Sequence, residues 1–209
     1  MTARVGNPRP ERLRISALSS ALVGPFDLVA GRGECIAITG TSGSGKSLFL
    51  RLIADLDPGT GEVFLEGTPR RHIPAPAWRR QVVYCPAESG WWDERVAHHF
   101  PSAALGFVRA QAERLALDPT LLDGPVLRLS SGERQRLALI RALALDPLVL
   151  LLDEPTGALD ADSTALVEAE LQVRLQAGTL ILMVTHSEAQ AQRMAGRHLR
   201  VAQRRLVTP

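Results

Sequence analysis

The sequence is poor in the residues that often settle a protein's class at once. It has two cysteines, one tyrosine and 4% aromatic residues in 209 positions. Two cysteines cannot build a disulfide framework. Cys35 and Cys85 each fall in a predicted strand, and both read as buried thiols rather than a disulfide or a metal pair. No apolar run approaches the roughly 20 residues that a membrane helix needs. Residues 1–14 are rich in arginine and proline and hold no apolar segment, so they do not read as a secretory signal. The cytosol is the expected setting. An excess of charge of one sign is also missing. Lys and Arg number 24 against 22 Asp and Glu, for a formal net charge of +2. Charge alone therefore points neither to nucleic acid nor to a membrane surface. There is no internal repeat and no low-complexity tract.

What is present is 45% hydrophobic residues, enough for one sizeable domain, or one domain with a small inserted lobe. Its organising stretch is Gly40-Thr41-Ser42-Gly43-Ser44-Gly45-Lys46-Ser47, which fits the G-x-x-x-x-G-K-[ST] pattern of a loop that cradles nucleotide phosphates. A polyphosphate needs many donors close together, and backbone N–H groups can supply them only where no side chain blocks the approach. A helix beginning at Gly45 would turn its positive end to the phosphates. Lys46 is then expected at the β- and γ-phosphates and the Ser47 hydroxyl on Mg²⁺. Leu48 closes the expected nucleotide-contact set, Gly40 to Leu48. The flanks agree: residues 34–39 read as a buried strand and residues 47–54 as an apolar-rich helix.

Elsewhere, strands are predicted over 12–18, 22–28, 62–67, 81–85, 148–153 and 179–185, with two short ones in 197–207. Helices are predicted near 77–80 and over 102–117, 134–145, 162–176 and 187–195. From 93 to 127 the pattern is helical with no convincing strand, which suggests a small helical lobe set into an α/β core. His98 and His99, being adjacent, would face different sides of any helix and read as surface or lobe-core residues rather than metal ligands. Apolar strands alternating with helices describe a parallel-centred α/β fold, in which ligands gather at the carboxyl ends of strands. Gly40, Ala87, Asp153 and His186 all lie just past such ends. Asp153 suits Mg²⁺ opposite Ser47, and Glu154 beside it can accept a proton from an attacking water or orient it.

With these residues in place, the chain resembles the ATP-binding cassette (ABC) family, the nucleotide-binding subunits of ABC transporters, of the small bacterial type. The resemblance runs from about Leu13 to Val207. Gly40 to Ser47 is similar to the Walker A loop, and Leu148 to Glu154 to Walker B with its catalytic glutamate. Leu129-Ser130-Ser131-Gly132-Glu133 is similar to the family signature, with Ser130 23 residues before Asp153. Val184-Thr185-His186 resembles the switch-histidine segment and Ala158-Leu159-Asp160 the D-loop. The resemblance implies a P-loop NTPase core with a parallel-centred sheet, an N-terminal antiparallel β part and a helical lobe. On this reading 1–92 and 128–209 form the core of a single domain and 93–127 the lobe. It implies ATP and Mg²⁺ as ligands and an ATP-dependent homodimer. Ser130, Gly132 and Glu133 of one copy would face the γ-phosphate held by the other, while Glu154 activates water and His186 contacts the γ-phosphate. It also implies a separate membrane permease, with the cassette in the cytoplasm at the inner face of the membrane and no nucleic-acid partner.

The chain departs from the family pattern in four places. Residues 16–24 lack the aromatic residue that stacks on adenine, leaving Leu22, Val23 or an arginine. Ala87 stands at the Q-loop glutamine, with Glu88 as a partial substitute and the distant Gln81 as the other counterpart. Ser131 and Glu133 replace a glycine and a glutamine of the signature. Gly157 replaces the usual D-loop serine. Trp91 and Trp92 fall where such a cassette meets its permease, and read either as an interface anchor or as a plug in the lobe. Two other readings stay open: a soluble ABC ATPase that serves no transporter, and a degenerate cassette that binds ATP as a regulatory module.

Overall fold

The computed structural model describes residues 10–208. The absence of a secretory signal was read mostly from residues 1–9, which lie outside them, as do the outermost residues of the 1–209 domain reading. The strands are β1 (Glu11–Ser19), β2 (Phe26–Gly31), β3 (Cys35–Thr39), β4 (Thr60–Leu65), β5 (Thr68–Pro69), β6 (Val82–Cys85), β7 (Val149–Asp153), β8 (Leu180–Val184), β9 (Arg197–Ala202) and β10 (Arg205–Val207). The α-helices are α1 (Lys46–Ile53), α2 (Ala75–Gln81), α3 (Leu105–Arg114), α4 (Ser131–Leu143), α5 (Ala161–Gln176) and α6 (Glu188–Met194).

The strands form two sheets. An antiparallel sheet runs β2-β1-β4-β5, and a second runs β10-β9-β3-β8-β7-β6. In the second, β9, β3, β8, β7 and β6 are mutually parallel and only the terminal hairpin of β9 and β10 is antiparallel. Every residue of β7 and β8 is buried, as expected of aliphatic strands covered on both faces. Alternate residues feed opposite cores: Leu150 and Leu152 pack with Leu137 and Ile140 of α4 and with Leu171 of α5. Val149 and Leu151 pack with Phe49, Leu50 and Ile53 of α1. That second core also takes Leu13, Ile15, Phe26 and Val63 from the antiparallel sheet. Helix α1 is therefore held between the two sheets, which fixes where its N-terminus points.

Three segments differ from the expectations. Residues 22–25 are not strand; β2 starts at Phe26, after the Gly24-Pro25 punctuation. Helix α4 starts at Ser131, three residues before the expected 134, because Ser130 caps it. Its hydroxyl accepts the Glu133 N–H while the Glu133 carboxylate accepts the Ser130 N–H, a reciprocal capping box. The stretch 93–127 holds one α-helix, α3, shorter than the expected 102–117, and several 3-10 turns, closed by a single bridge between Arg95 and Pro125.

Trp78 of α2 is fully buried, and its indole N–H donates to the Ile53 carbonyl at the end of α1 at 2.9 Å. It anchors α2 to the helix that carries the phosphate loop. Trp78→Ala should cost about 3–5 kcal/mol and lower Tm by roughly 6–20 °C. Calorimetry or urea titration reads this directly, and a loss under 1 kcal/mol would mean that Trp78 anchors nothing.

Candidate functional site

The carboxyl ends of β3, β8, β7 and β6 lie side by side. Ile38 pairs with Val184, Val184 with Asp153, and Cys85 with Leu152. The loops leaving these ends enclose a cleft of about 380 Å³ lined by Ser42, Gly43, Gly45, Lys46, Ser47, Leu48, Ala87, Asp153, Glu154, Val184 and His186. Residues distant in sequence meet there because parallel strands present all their C-terminal loops on one side.

The phosphate loop has the shape its sequence asks for. Gly45 caps α1 at φ 101°, and a Cβ there would collide with Val23. Gly43 also has a positive φ, yet a Cβ on it would meet nothing within 4 Å. Its glycine answers to backbone conformation and to an open approach, not to crowding. Lys46 is buried and turned into its own loop, donating to the carbonyls of Gly40 and Thr41 at 2.9 and 3.0 Å.

Opposite the loop stand the two carboxylates. Asp153 is 6% exposed and accepts a hydrogen bond from the Tyr84 hydroxyl at 3.0 Å. Burial first, and Asp153 second, push the Tyr84 phenol well above its ordinary range, so it stays a donor. Sequence reading assigned Tyr84 no role. Its only signal is that the single tyrosine of the chain is the penultimate residue of a strand. Glu154 has a left-handed backbone, φ 49°. Its carboxylate accepts the His186 backbone N–H at 3.3 Å, and its Oε1 lies 3.5 Å from His186 Nε2. That Oε1 is buried and makes no hydrogen bond. Burial is the largest influence on Glu154 and raises its pKa, outweighing the lowering effects of His186 and Lys46, while Asp153 adds to the rise.

The cleft does not gather every expected residue. Ser130, Gly132 and Glu133 lie outside its lining. Glu133 is committed to Ser130, accepting from its N–H at 2.7 Å and its hydroxyl at 2.8 Å. Gly132 packs on the loop after β7, where a Cβ would lie 3.3 Å from Leu159 and 3.4 Å from the Ala158 carbonyl. Ala87 lines the cleft and offers no polar group to it, whereas Glu88 lines the neighbouring groove with Trp91, Arg134 and Gln135. Gln81 donates to the Ala77 carbonyl of its own helix at 3.2 Å, away from the cleft. Leu22 is 64% exposed while Val23 is buried against Gly45.

The two tryptophans differ in exposure. Trp91 packs against the core beneath the lobe, and Trp92 is 71% exposed. The Arg141 guanidinium lies 4.9 Å from one ring and 4.8 Å from the other, a cation–π arrangement. Buried His99 shapes this loop by accepting the N–H groups of Trp92 and Asp93 through Nε2 at 2.9 and 3.0 Å. Cys35 and Cys85 are free, buried thiols whose pKa values burial raises to about 12 and about 11, which makes them unreactive.

The raised Glu154 pKa has a sign in stability. Its contribution is fully present below the unfolded-state value of about 4.3 and is lost as pH rises through the higher folded-state value. Glu154→Gln should therefore raise Tm at pH 7.5, with the gain vanishing as the pH approaches 4. A calorimetric pH series that finds the variant lower-melting at pH 7.5 would remove burial as the dominant influence.

Known proteins resemble this chain in sequence and in fold. The chain is 38% identical over 192 residues to "Protein STAR1" of Oryza sativa subsp. japonica, covering 87% of this chain and 56% of that one. It is 37% identical over 182 residues to the "Molybdate/tungstate import ATP-binding protein WtpC" of Archaeoglobus fulgidus, covering 81% and 73%. The fold matches a solved dimeric ATP-binding cassette in a post-hydrolysis state with ADP and Pi, at TM-score 0.78 and 23% identity over 93% of this chain and 96% of that one. The family model described as "ABC transporter" matches residues 24–157, from the start of β2 through the phosphate loop to the turn after Glu154, and the chain belongs to that family.

Proposed function

We propose that the chain is the ATP-binding and ATP-hydrolysing subunit of a membrane transporter. Two copies close on ATP and part after hydrolysis, and a separate membrane-spanning permease converts that cycle into transport. The observation that carries the reading is the meeting of Lys46, Ser47, Asp153, Glu154 and His186 on one cleft, in a chain of this family. The names of curated relatives, among them an import ATP-binding protein, support the transport assignment.

The roles follow from the chemistry of each group. Lys46 exchanges its carbonyl partners for β- and γ-phosphate oxygens, and the loop amides from Gly40 to Leu48 surround the phosphates. Glu154 takes the proton of the attacking water, a task that its raised pKa serves. His186, beside it, meets the γ-phosphate. The donors present fit Mg²⁺: an exposed Ser47 hydroxyl and the Asp153 carboxylate are hard oxygen ligands, and Tyr84 holds Asp153 in orientation. When bound, Mg²⁺ supplies positive charge against the phosphate oxygens. Ser130 and Gly132, at the capped start of α4 and outside the cleft, serve the ATP of the second copy, with Glu133 fixing Ser130.

Among the described residues no helix is long and apolar enough to cross a membrane. In this reading the permease is a separate chain, and the cassette sits at the cytoplasmic face of the membrane. Exposed Trp92, backed by Arg141, is the permease contact, and Trp91 is its half-buried footing. The reading keeps 1–92 and 128–209 as the core of a single domain and 93–127 as its lobe, with residues 1–9 and 209 outside the described residues. Ala87, which can contact neither cation nor water, favours a second reading, a cassette that senses ATP without turning it over.

The deciding experiment is size-exclusion chromatography with light scattering on Glu154→Gln, with and without ATP and Mg²⁺, beside a turnover assay on wild type. A variant dimeric only with ATP, together with a turning-over wild type, is expected. A wild type that binds ATP without hydrolysing it, and a variant that stays monomeric, would favour the sensor.

A further inference from the structure

The segment that follows β7 is tied down by side chains from two helices. Gln135, in the second turn of α4, uses both ends of its carboxamide. Its Nε2 donates to the Glu154 carbonyl at 2.7 Å, and its Oε1 accepts the Ala158 N–H at 3.0 Å. Between these ties, buried Gln190 of α6 donates to the Thr156 hydroxyl at 2.8 Å. Gln190 is itself held by Glu168 at 3.2 Å. Glu154 needs such support. A non-glycine residue at φ 49° is strained and persists only where its surroundings over-determine it. The backbone turn at Glu154 aims its carboxylate at His186, whose N–H it accepts. The bond from Gln135 lands on the carbonyl of that same residue.

We propose that Gln135 is a positioning residue for hydrolysis: its carboxamide holds Glu154 in the left-handed conformation that aims the carboxylate at His186 and the cleft. Gln135 lies outside the lining of the cleft. It lies on the helix opened by the Ser130–Glu133 cap, so a displacement of that cap reaches the Glu154 carbonyl through one side chain. The other end of the same turn is tied to the lobe, because Arg136 donates to the Leu115 carbonyl at 2.7 Å. The start of α4 is thus braced between the lobe on one side and Glu154 on the other.

The proposal rests on Glu154 being the group that activates water, and the test separates the two. Gln135→Met keeps the length and removes both bonds. Gln135→Glu keeps the acceptor for the Ala158 N–H and loses the donor to the Glu154 carbonyl, so it guards against a variant that fails to fold. Steady-state turnover, binding of a fluorescent ATP analogue and single-turnover hydrolysis of radiolabelled ATP are measured in wild-type and Glu154→Gln backgrounds. Both Gln135 variants should lower kcat by about 10- to 100-fold, with KM and analogue affinity within about twofold. In the Glu154→Gln background, Gln135→Met should change the residual single-turnover rate by less than about twofold, because both changes act through one carboxylate. An equal loss in the two backgrounds, or a Gln135→Glu variant as active as wild type, would overturn the proposal. If Glu154→Gln itself hydrolyses ATP at the wild-type rate, the assignment of Glu154 fails instead, and the role of Gln135 with it.

Discussion

The cleft depends on one constraint, the shared parallel register of β3, β8, β7 and β6. Because Ile38, Val184 and Asp153 sit level across three strands, the four loops that leave this edge start from one line. A shift of one residue in any strand would turn its aliphatic side chains to the opposite face. The two cores take alternate residues of β7, so such a slip would put each set where the other packs. The hydrophobic pattern thus fixes the register, and the register places the phosphate loop, Asp153, Glu154 and His186 around a common space. Helix α1, clasped between the sheets, sets the direction of the positive end that faces this space.

Around that frame the charged groups are held by neighbours that are not themselves ionised. Lys46 rests on two carbonyls of its own loop. Asp153 rests on a phenol that burial keeps protonated. Glu154 rests on a backbone N–H and leaves one buried carboxylate oxygen without a partner. An unpaired buried oxygen is costly in a finished core but suits a group whose task is to accept a proton. The same burial that raises the Glu154 pKa makes it a stronger base than a solvated carboxylate.

Much of this was legible in the sequence, and the reasons differ from part to part. The glycines of the loop, the aliphatic runs of β7 and β8, and the acidic pair after β7 are local patterns, and each maps to one element. The early start of α4 was equally legible, since Ser130 and Glu133 stand at capping-box spacing; reading them only as signature residues hid their structural task. Tyr84 against Asp153, and Gln135 against Glu154 and Ala158, were not legible. Each joins residues far apart in the chain, and neither residue type is unusual where it stands. The left-handed backbone of Glu154 also leaves no trace in composition, because glutamate adopts it only under tertiary constraint. The tryptophan pair was read as one choice between interface and core. Both rings lie against His99 and Arg141, but Trp91 also packs on the core while Trp92 stays exposed.

The position of the signature residues sets the scale at which the molecule must be understood. Within one chain, Ser130 and Gly132 lie outside the phosphate cleft, although they begin a helix whose N-terminal N–H groups favour an anion. They are nevertheless coupled to the cleft, because Gly132 packs on the loop after β7 and Gln135 bonds both ends of that loop. A single chain therefore holds the phosphate-loop and carboxylate groups around one cleft and, outside it, a capped helix start joined to that cleft by hydrogen bonds. If the helix end serves a second copy, an ATP bound there pulls on the start of α4, and the pull reaches the Glu154 of the other site through hydrogen bonds already formed. Communication between the two ATP sites then requires no large rearrangement inside either chain, only a small shift of a helix end braced on both sides.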